Sequence, residues 1–393
     1  MLNVCCIDRN IAIMSNRRGF LAKLTVAAAT LAAAPVIAFS NVFKSEDSSK
    51  TKKDMSIIGK VKPLGFTWET ADPFLFCVHH EDKYPKGNEE MGPDSSNFSG
   101  RHLGDDFIIK DGFRMYHGKT VPGFPGHPHR GFETITVVRE GVVDHADSTG
   151  ASGRYGNGDV QWMTAGKGVQ HSEMFPLVHK DKENPMELFQ IWLNLPKANK
   201  MVEPHFKMLW RDMIPNENHV DKNGKKTTVE IISGKLKETV SASTPPDSWA
   251  ADTDNEVAIW NILMEAGAEY TIPKASAGVN RNIYFYEGDE LTLAGEIIPK
   301  YSSVTVKPDE DIVCVSGKDP VSMLILQGKP INEEVIQYGP FVMNTKAEIQ
   351  QAFDDYHKTG YGGWPWPKYD QVHDRNATRF AKHADGRLET KEL

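Results

Sequence analysis

Short runs of apolar residues, many of them alternating with polar ones, recur from about residue 57 onward and predict β-strands. Clusters of Gly, Pro, Asn and Asp separate the runs, as in an all-β sandwich or barrel. The first series consists of residues 107–109, 133–138, 159–163, 187–193 and 229–232. The second lies within residues 257–327 and includes 283–286, 291–293, 303–306, 312–315 and 322–326. Two series predict two β-barrel domains, because 393 residues exceed one ordinary core.

The pattern changes to helical spacing near residue 345. Thr345 and Glu348 match a capping box. The apolar positions that follow at helical spacing are Ile349, Ala352, Phe353 and Tyr356. We therefore expect one short amphipathic helix, and we expect the charged tail from Lys368 to lie over the surface or to fray.

The N-terminal segment resembles a twin-arginine export signal. Arg17 and Arg18 precede an apolar run at residues 24–39, and Ala38-Phe39-Ser40 offers a small-x-small cleavage site. The apolar run is shorter than a typical membrane span and is rich in alanine, so it is a weak candidate for a membrane anchor. We therefore predict export to the periplasm, with either Met1 or Met14 as the start, and no membrane contact after the signal is removed.

The net charge bears on whether the protein binds nucleic acid, and the cysteine content bears on whether it forms a disulfide. Removing residues 1–40 takes away four of 45 basic and one of 53 acidic residues, so the net charge moves from −8 to −11. Such an acidic chain repels phosphate backbones, and nucleic acid is not an expected partner. Cys77 and Cys314 remain after cleavage. The exported compartment would permit a disulfide, but they fall in different series, so we predict two buried free thiols.

Two motifs about forty residues apart, GHPHRGFE and GKGVQHSE, carry side chains that bind metals. Successive strand residues alternate faces, so His127 shares a face with His129, and His171 shares one with Glu173. Two such pairs on facing strands could enclose one ion. Three imidazoles and one carboxylate suit a divalent transition metal and leave two octahedral positions open. Glu133 is an even number of residues from His127 and His129, so it would share their face if the strand continued without a bulge. It is therefore an alternative to Glu173 as the carboxylate ligand.

The second series lacks the same ligands. Aligning Glu287-Gly288 with Glu140-Gly141 places Lys274 and Ser276 at the positions of the two HPH histidines. Neither is a comparable ligand, and the sequence has no histidine between His219 and His357. One metal site, in the first barrel, is therefore expected.

The runs HPHRGFETITVVREG and QWMTAGKGVQHSEM, together with the late GPFVMNT, resemble the pirin family over about residues 60–365. The resemblance implies a bicupin whose first barrel alone holds metal, usually iron. It also implies that the ligands are His127, His129, His171 and Glu173, with Glu133 as a neighbouring pocket group. The sequence pattern and the resemblance together predict a signal peptide at 1–40, a linker at 41–56, a metal-binding cupin at 57–205, a metal-free cupin at 206–345, and a helix and tail at 346–393.

Members of this family resemble quercetin 2,3-dioxygenases. The resemblance implies a dioxygenase that uses Fe(II), with Ni, Cu or Mn as alternatives, and acts with dioxygen on a flavonol-like or other enolisable aromatic. The export signal, which departs from the family pattern, adds that the enzyme is exported. Glu173 would accept the proton of the hydroxyl that binds the metal. Polar candidates for orienting the imidazoles are Gln161, Ser172, Arg130 and Glu133, and aromatic candidates for a pocket are Phe124, Phe132 and Trp162.

Two other functions fit the same sequence. A non-catalytic protein could sense metal or redox state and act through a protein partner. An isomerase or small-molecule binder on the same scaffold is a further alternative, because a fold does not fix a function.

Overall fold

β-Strands dominate residues 56–392, the part of the chain that the computed structural model describes. The predicted signal peptide, Cys5, Cys6 and nearly all of the predicted linker lie outside these residues. From Ile57 onward the chain forms one compact unit. No helix in this part of the chain has the length and apolar character needed to cross a bilayer.

Short strands follow one another along most of the chain. In chain order they are β1 (Ile58–Pro63), β2 (Thr67–Trp68), β3 (Phe74–Tyr84), β4 (Gly123–His129), β5 (Phe132–Glu140), β6 (Val142–Asp147), β7 (Ser152–Gly156), β8 (Val160–Thr164), β9 (Val169–Met174), β10 (Asn184–Asn194), β11 (His205–Leu209), β12 (Asn216–Val220), β13 (Lys226–Ser233), β14 (Lys235–Leu236), β15 (Thr239–Val240), β16 (Ala258–Met264), β17 (Glu269–Ile272), β18 (Asn280–Glu287), β19 (Leu291–Leu293), β20 (Glu296–Ile298), β21 (Ser302–Val306), β22 (Ile312–Ser316), β23 (Val321–Gly328), β24 (Ile336–Tyr338), β25 (Phe341–Met343), β26 (Arg379–Lys382) and β27 (Leu388–Lys391). The α-helix α1 spans Lys346–Thr359. The 3-10 helices are Ser95–Phe98, Lys197–Asn199, Arg211–Met213, Trp249–Ala251, Thr253–Asn255 and Gly360–Gly362.

Two six-stranded antiparallel sheets form the first barrel, in the orders β11-β8-β5-β10-β3-β2 and β27-β26-β7-β6-β9-β4. Because strand side chains alternate faces, Val143, Tyr155 and Val169 point into this barrel and are buried there. The opposite face of the first sheet packs on the second barrel through residues such as Ile135 and Trp162. Both faces of the sheet are therefore covered, which explains its nearly continuous apolar runs.

A seven-stranded sheet, β1-β21-β18-β23-β16-β13-β12, and a four-stranded sheet, β17-β22-β19-β20, form the second barrel. Its interior is filled by apolar side chains, among them Trp260 and Phe285. Cys314 lies in this interior, and Cys77 lies between the barrels. Both thiols are free and buried, so that prediction is confirmed. The prediction of an all-β chain with two barrels and a short C-terminal helix is also confirmed.

Helix α1 begins as the sequence predicts. The Thr345 side chain accepts a hydrogen bond from the Glu348 backbone N–H, and the Glu348 carboxylate accepts one from the Thr345 N–H. Ile349 and Ala352 are buried against Phe341, so the predicted apolar face is the one that packs. The helix ends at residue 359, where Gly360 adopts a left-handed conformation.

The expectation that the charged tail lies over the surface or frays is wrong for its last part. Strand β26 pairs with β7, and β27 pairs with β26, so both extend the sheet that carries the predicted metal ligands. The physical reason is the buried ion pair between Arg154 and Asp144. The Arg154 guanidinium donates to the backbone oxygens of Asp374 and Ala377, and the Asp144 carboxylate accepts the His373 N–H. Because buried charges need complete hydrogen bonding, the tail is held in place.

Sheet membership crosses the predicted domain boundaries at residues 205 and 345. Strand β1 belongs to the first predicted domain by sequence but pairs with β21 of the second barrel. The tail strands pair back onto the first barrel. The boundaries themselves stay a prediction.

Replacement of Arg154 with methionine is expected to lower the free energy of unfolding by about 3–5 kcal/mol, because it leaves the buried Asp144 carboxylate unpaired. Urea unfolding at pH 7 measures this loss. Lys391→Met is the matched control, since the Lys391–Asp212 pair is largely exposed and its loss should cost about 1 kcal/mol or less. Equal stability of the two variants would contradict the structural role of the buried pair.

Candidate metal centre

Strands β4 and β9 bring the two histidine motifs face to face. His127 lies directly opposite His171 in the antiparallel register, and His129 lies opposite Val169. Val169 belongs to the barrel core, so the alternation turns the imidazoles toward the same interior. The register shifts between Phe124 and His127, where Pro125 and Gly126 form a bulge in the edge strand.

His127, His129 and His171, which we call the histidine trio, converge on one point. One nitrogen of each imidazole lies within 4.8 Å of the corresponding nitrogens of the other two. His171 is fully buried, His129 nearly so, and His127 half-buried. The Nδ1 atom of His129 and both ring nitrogens of His171 are buried and have no hydrogen-bond partner among residues 56–392. Orphaned buried nitrogens of this kind are costly unless a ligand satisfies them.

The electrostatics of the trio favour metal ligation. Burial lowers the pKa of His129 and His171 well below the ordinary imidazole value, and the neighbouring histidines lower these pKa values further. Both imidazoles are therefore neutral near pH 7, which is the form that binds metals. Two neutral imidazoles that converge with the His127 ring fit a divalent transition metal.

Glu173 lies beside the trio and is held by two other side chains. Its Oε2 atom is 3.7 Å from the Nε2 atom of His171. The Thr136 hydroxyl donates to Oε1 at 2.8 Å, and the Gln190 amide donates to Oε2 at 3.0 Å. Burial raises the pKa of Glu173, and these hydrogen bonds oppose that rise. The carboxylate can thus exchange a proton within the site, while its role as fourth ligand stays a prediction.

Glu133, the other carboxylate that strand parity allowed, faces away from the trio. Strand β4 ends at His129, and the chain turns at Gly131, whose φ of 85° belongs to the left-handed region. Strand parity no longer applies beyond this turn. The Glu133 carboxylate instead accepts hydrogen bonds from the hydroxyls of Thr164 and Ser248.

Glu133 should make stability depend on pH. Burial raises its pKa from 4.5 to about 7. A raised carboxyl pKa stabilises the fold below the unfolded value of 4.5, and this stability is lost as the pH rises to about 7. Glu133→Gln is therefore expected to be more stable than the wild type by roughly 3 kcal/mol at pH 8, with little difference at pH 4.5. Urea unfolding at both pH values measures this, and a difference independent of pH would contradict it.

The other predicted pocket residues divide into two groups. Phe124 and Phe132 lie near the trio, with ring centroids 6.3 Å from His127 and 5.1 Å from His129, respectively. Trp162 instead packs between the barrels. The polar candidates do not bond to the imidazoles: Arg130 binds the Lys167 carbonyl and Asp355, Ser172 is buried without a partner, and Gln161 lies near the Tyr155 hydroxyl.

Sequence reasoning missed several residues of the site. His145 is buried opposite Glu173, its ring lies 5.6 Å from His171, and its Nε2 atom is 3.0 Å from the Asp147 carboxylate. The alternating His-x-Asp pair in β6 was the available signal. Gln190 is likewise a polar residue inside an apolar strand run. Trp192, whose ring lies 5.4 Å from His129, had no distinguishing pattern.

Comparisons with known proteins agree with this architecture. A family model described as Pirin matches residues 62–193, and one described as Pirin C-terminal cupin domain matches residues 259–362. Over 270 residues the chain is 36% identical to human pirin. This alignment covers 66% of this chain and 83% of human pirin. Over 236 residues the chain is 34% identical to a Pseudomonas aeruginosa protein described as a "putative quercetin 2,3-dioxygenase". This alignment covers 60% of this chain and 77% of that protein.

A solved structure shows the same fold. The crystal structure of quercetin 2,3-dioxygenase from Acinetobacter baumannii matches with a TM-score of 0.61 at 24% identity, covering 78% of this chain and 98% of that one. The bicupin prediction is therefore confirmed. With both family domains matched in order and more than four-fifths of human pirin covered, the chain belongs to the pirin family.

Proposed function

We propose that this protein is an exported, iron-dependent dioxygenase that cleaves a flavonol-like or related enolisable aromatic. The observation that carries the proposal is the convergence of the His127, His129 and His171 imidazoles, the last two of them buried and neutral, beside the Glu173 carboxylate. Similarity to a protein described as a quercetin 2,3-dioxygenase supports the reaction class. When bound, a divalent metal supplies a Lewis acid that lowers the pKa of a coordinated hydroxyl.

The surrounding residues suit a planar aromatic substrate. Phe124 and His127 are only half-buried, so they border the accessible side of the site. Phe132 and Trp192 pack against each other with ring centroids 4.3 Å apart and close the apolar wall beside His129. Aromatic walls bind planar rings and exclude water, which also protects a reactive carbanion-like enolate.

Glu173 is the proposed proton acceptor for the substrate hydroxyl. Its raised pKa makes it a better base than an exposed carboxylate, and Thr136 and Gln190 fix its orientation. A metal held by the histidine trio would favour the ionised oxygen of the substrate, and Glu173 would hold the proton while the substrate reacts with dioxygen. Both oxygen atoms of O2 remain in the products, and one ring carbon leaves as carbon monoxide.

Aerobic incubation of the Fe(II)-loaded protein with quercetin tests this function. We expect loss of the flavonol absorbance band together with one equivalent of carbon monoxide per flavonol consumed. Protein loaded separately with Ni, Cu or Mn identifies the metal that supports turnover. Absence of turnover with all four metals would exclude this substrate class and favour a metal-binding protein without catalysis.

Export is a separate part of the proposal. The double replacement of Arg17 and Arg18 with lysine is expected to keep the protein in the cytoplasm, because the export machinery reads the arginine pair. Cell fractionation and immunoblotting measure the distribution. Lys44→Arg is the control, since it changes a basic residue after the predicted signal peptide whichever methionine is the start. Normal export of the double variant would exclude the twin-arginine route.

A further inference from the structure

The C-terminal strap, defined as residues 363–392, lies beyond the segments matched by the two family domains. It follows the metal-bearing sheet of the first barrel. The Trp366 indole donates to the backbone oxygen of Asp147, which lies opposite His171 in the strand register. Farther along, the strap hydrogen-bonds to the buried Asp144–Arg154 pair and adds β26 to the sheet.

The strap reaches edge strand β4 at Gly126, next to His127. The Gly126 N–H donates to the Tyr369 backbone oxygen at 2.8 Å. The rings of Tyr369 and Trp364 stack with centroids 5.3 Å apart and planes inclined by 8°. A Cβ atom on Gly126 would lie 2.5 Å from the Tyr369 ring and 3.4 Å from the Trp364 ring. The close approach therefore requires glycine at this position.

One peptide unit connects this contact with the metal ligand. The Gly126 N–H and the Pro125 carbonyl belong to the same peptide group, and the Pro125 oxygen lies 2.9 Å from the Nδ1 atom of His127. A carbonyl oxygen only accepts hydrogen bonds, so Nδ1 carries the proton and Nε2 carries the lone pair. The chain of bonds thus runs from the Tyr369 carbonyl through one peptide to the imidazole.

A bonded N–H makes the carbonyl of the same peptide a stronger acceptor. A bond from the second ring nitrogen to a backbone carbonyl fixes the orientation and tautomer of a ligating imidazole. We propose that the C-terminal strap, through Tyr369 and the Pro125–Gly126 peptide, positions His127 as a metal ligand. Tyr369 is thus a positioning residue of a site that, on the proposed function, holds a metal ion.

Two variants weaken the contact in different ways. Tyr369→Ala removes the stacked ring that holds the strap on Gly126, and Gly126→Ala pushes the ring away while leaving the strap unchanged. Tyr369→Phe keeps the stack and is the conservative control. Thermal melting of each metal-free variant establishes that it is folded before the site is measured.

The main readout is the 15N NMR signal of the His127 ring in the metal-free protein, and the second is Ni(II) affinity by calorimetry. We expect the wild type and Tyr369→Phe to show one tautomer protonated at Nδ1. Tyr369→Ala and Gly126→Ala should show a mixed tautomer signal and about tenfold weaker Ni(II) binding. Wild-type ring signals in both folded variants would overturn the proposal. A wild-type protein that binds no Ni(II) would instead count against the metal site, while the ring signals still decide the role of the strap.

Discussion

Replacement of His171 with alanine is expected to lower the affinity for a divalent metal by at least about 100-fold, a larger loss than the 10- to 100-fold typical of residues behind the ligands. The His171 ring faces both other members of the trio, since it lies 4.5 Å from the ring of His127 and 5.0 Å from that of His129. Within the part of the chain that the structure describes, its two ring nitrogens have no hydrogen-bond partner. Elemental analysis of the purified variant and calorimetric titration measure the loss. His127→Ala is expected to behave similarly.

His219→Ala is the matched control for this loss. His219 lies on β12 of the second barrel, where its ring contacts Tyr270. Its replacement should leave the metal content at the wild-type level. If His171→Ala and His127→Ala retained the wild-type content, the trio would not be the metal site.

Glu173→Gln is expected to reduce flavonol turnover by about 10²- to 10⁴-fold, the range for loss of a general base. The amide has nearly the same shape, but it cannot accept the substrate proton. Metal content should fall much less than turnover, because the three imidazoles remain. Steady-state rates at saturating metal, measured alongside metal analysis, separate the two effects.

The control for this variant is Glu187→Gln. Glu187 lies on β10, as Gln190 does, but it pairs with His79 instead of the site. Its replacement should leave turnover unchanged. Turnover of Glu173→Gln equal to that of the wild type would show that another group accepts the proton.

The alternation of side chains along strands was enough to predict which histidines meet. One continuous strand is enough to place His127 and His129 on the same face. A second strand paired beside it is enough to bring His171 to that face. Glu133 could not be placed in the same way, because parity holds only within a continuous strand and the turn at Gly131 ends it. The orientation of that carboxylate depends on Ser248, which is distant in the sequence.

Other parts of the site and of the fold depend on contacts between distant residues, which no local sequence pattern predicts. His145 lies on β6, and only the pairing of β6 with β9 brings it opposite Glu173. The strands of the tail have weak apolar periodicity, since their sequences RFAK and LETK are mostly polar. Hydrogen bonds donated by the buried Arg154 hold the tail in place, and this arginine lies far from the tail in the sequence.

Exchange of strands between the barrels has a similar origin. Strand β1 is polar and mostly exposed, so its apolar pattern does not indicate which sheet it joins. It pairs with the open edge of β21, which would otherwise expose unpaired backbone groups. The sequence therefore predicts two barrels more readily than it predicts which strands close them.

The central claim is that the histidine trio of the first barrel holds one metal ion. Anomalous X-ray diffraction above the copper absorption edge, where manganese, iron, nickel and copper all scatter anomalously, tests it most directly on crystals of protein purified without added metal. We predict one strong anomalous peak within bonding distance of His127, His129 and His171. A peak bound elsewhere in the protein would contradict the claim. So would the absence of a peak at the trio both in crystals of protein from iron-replete cells and in crystals soaked with metal.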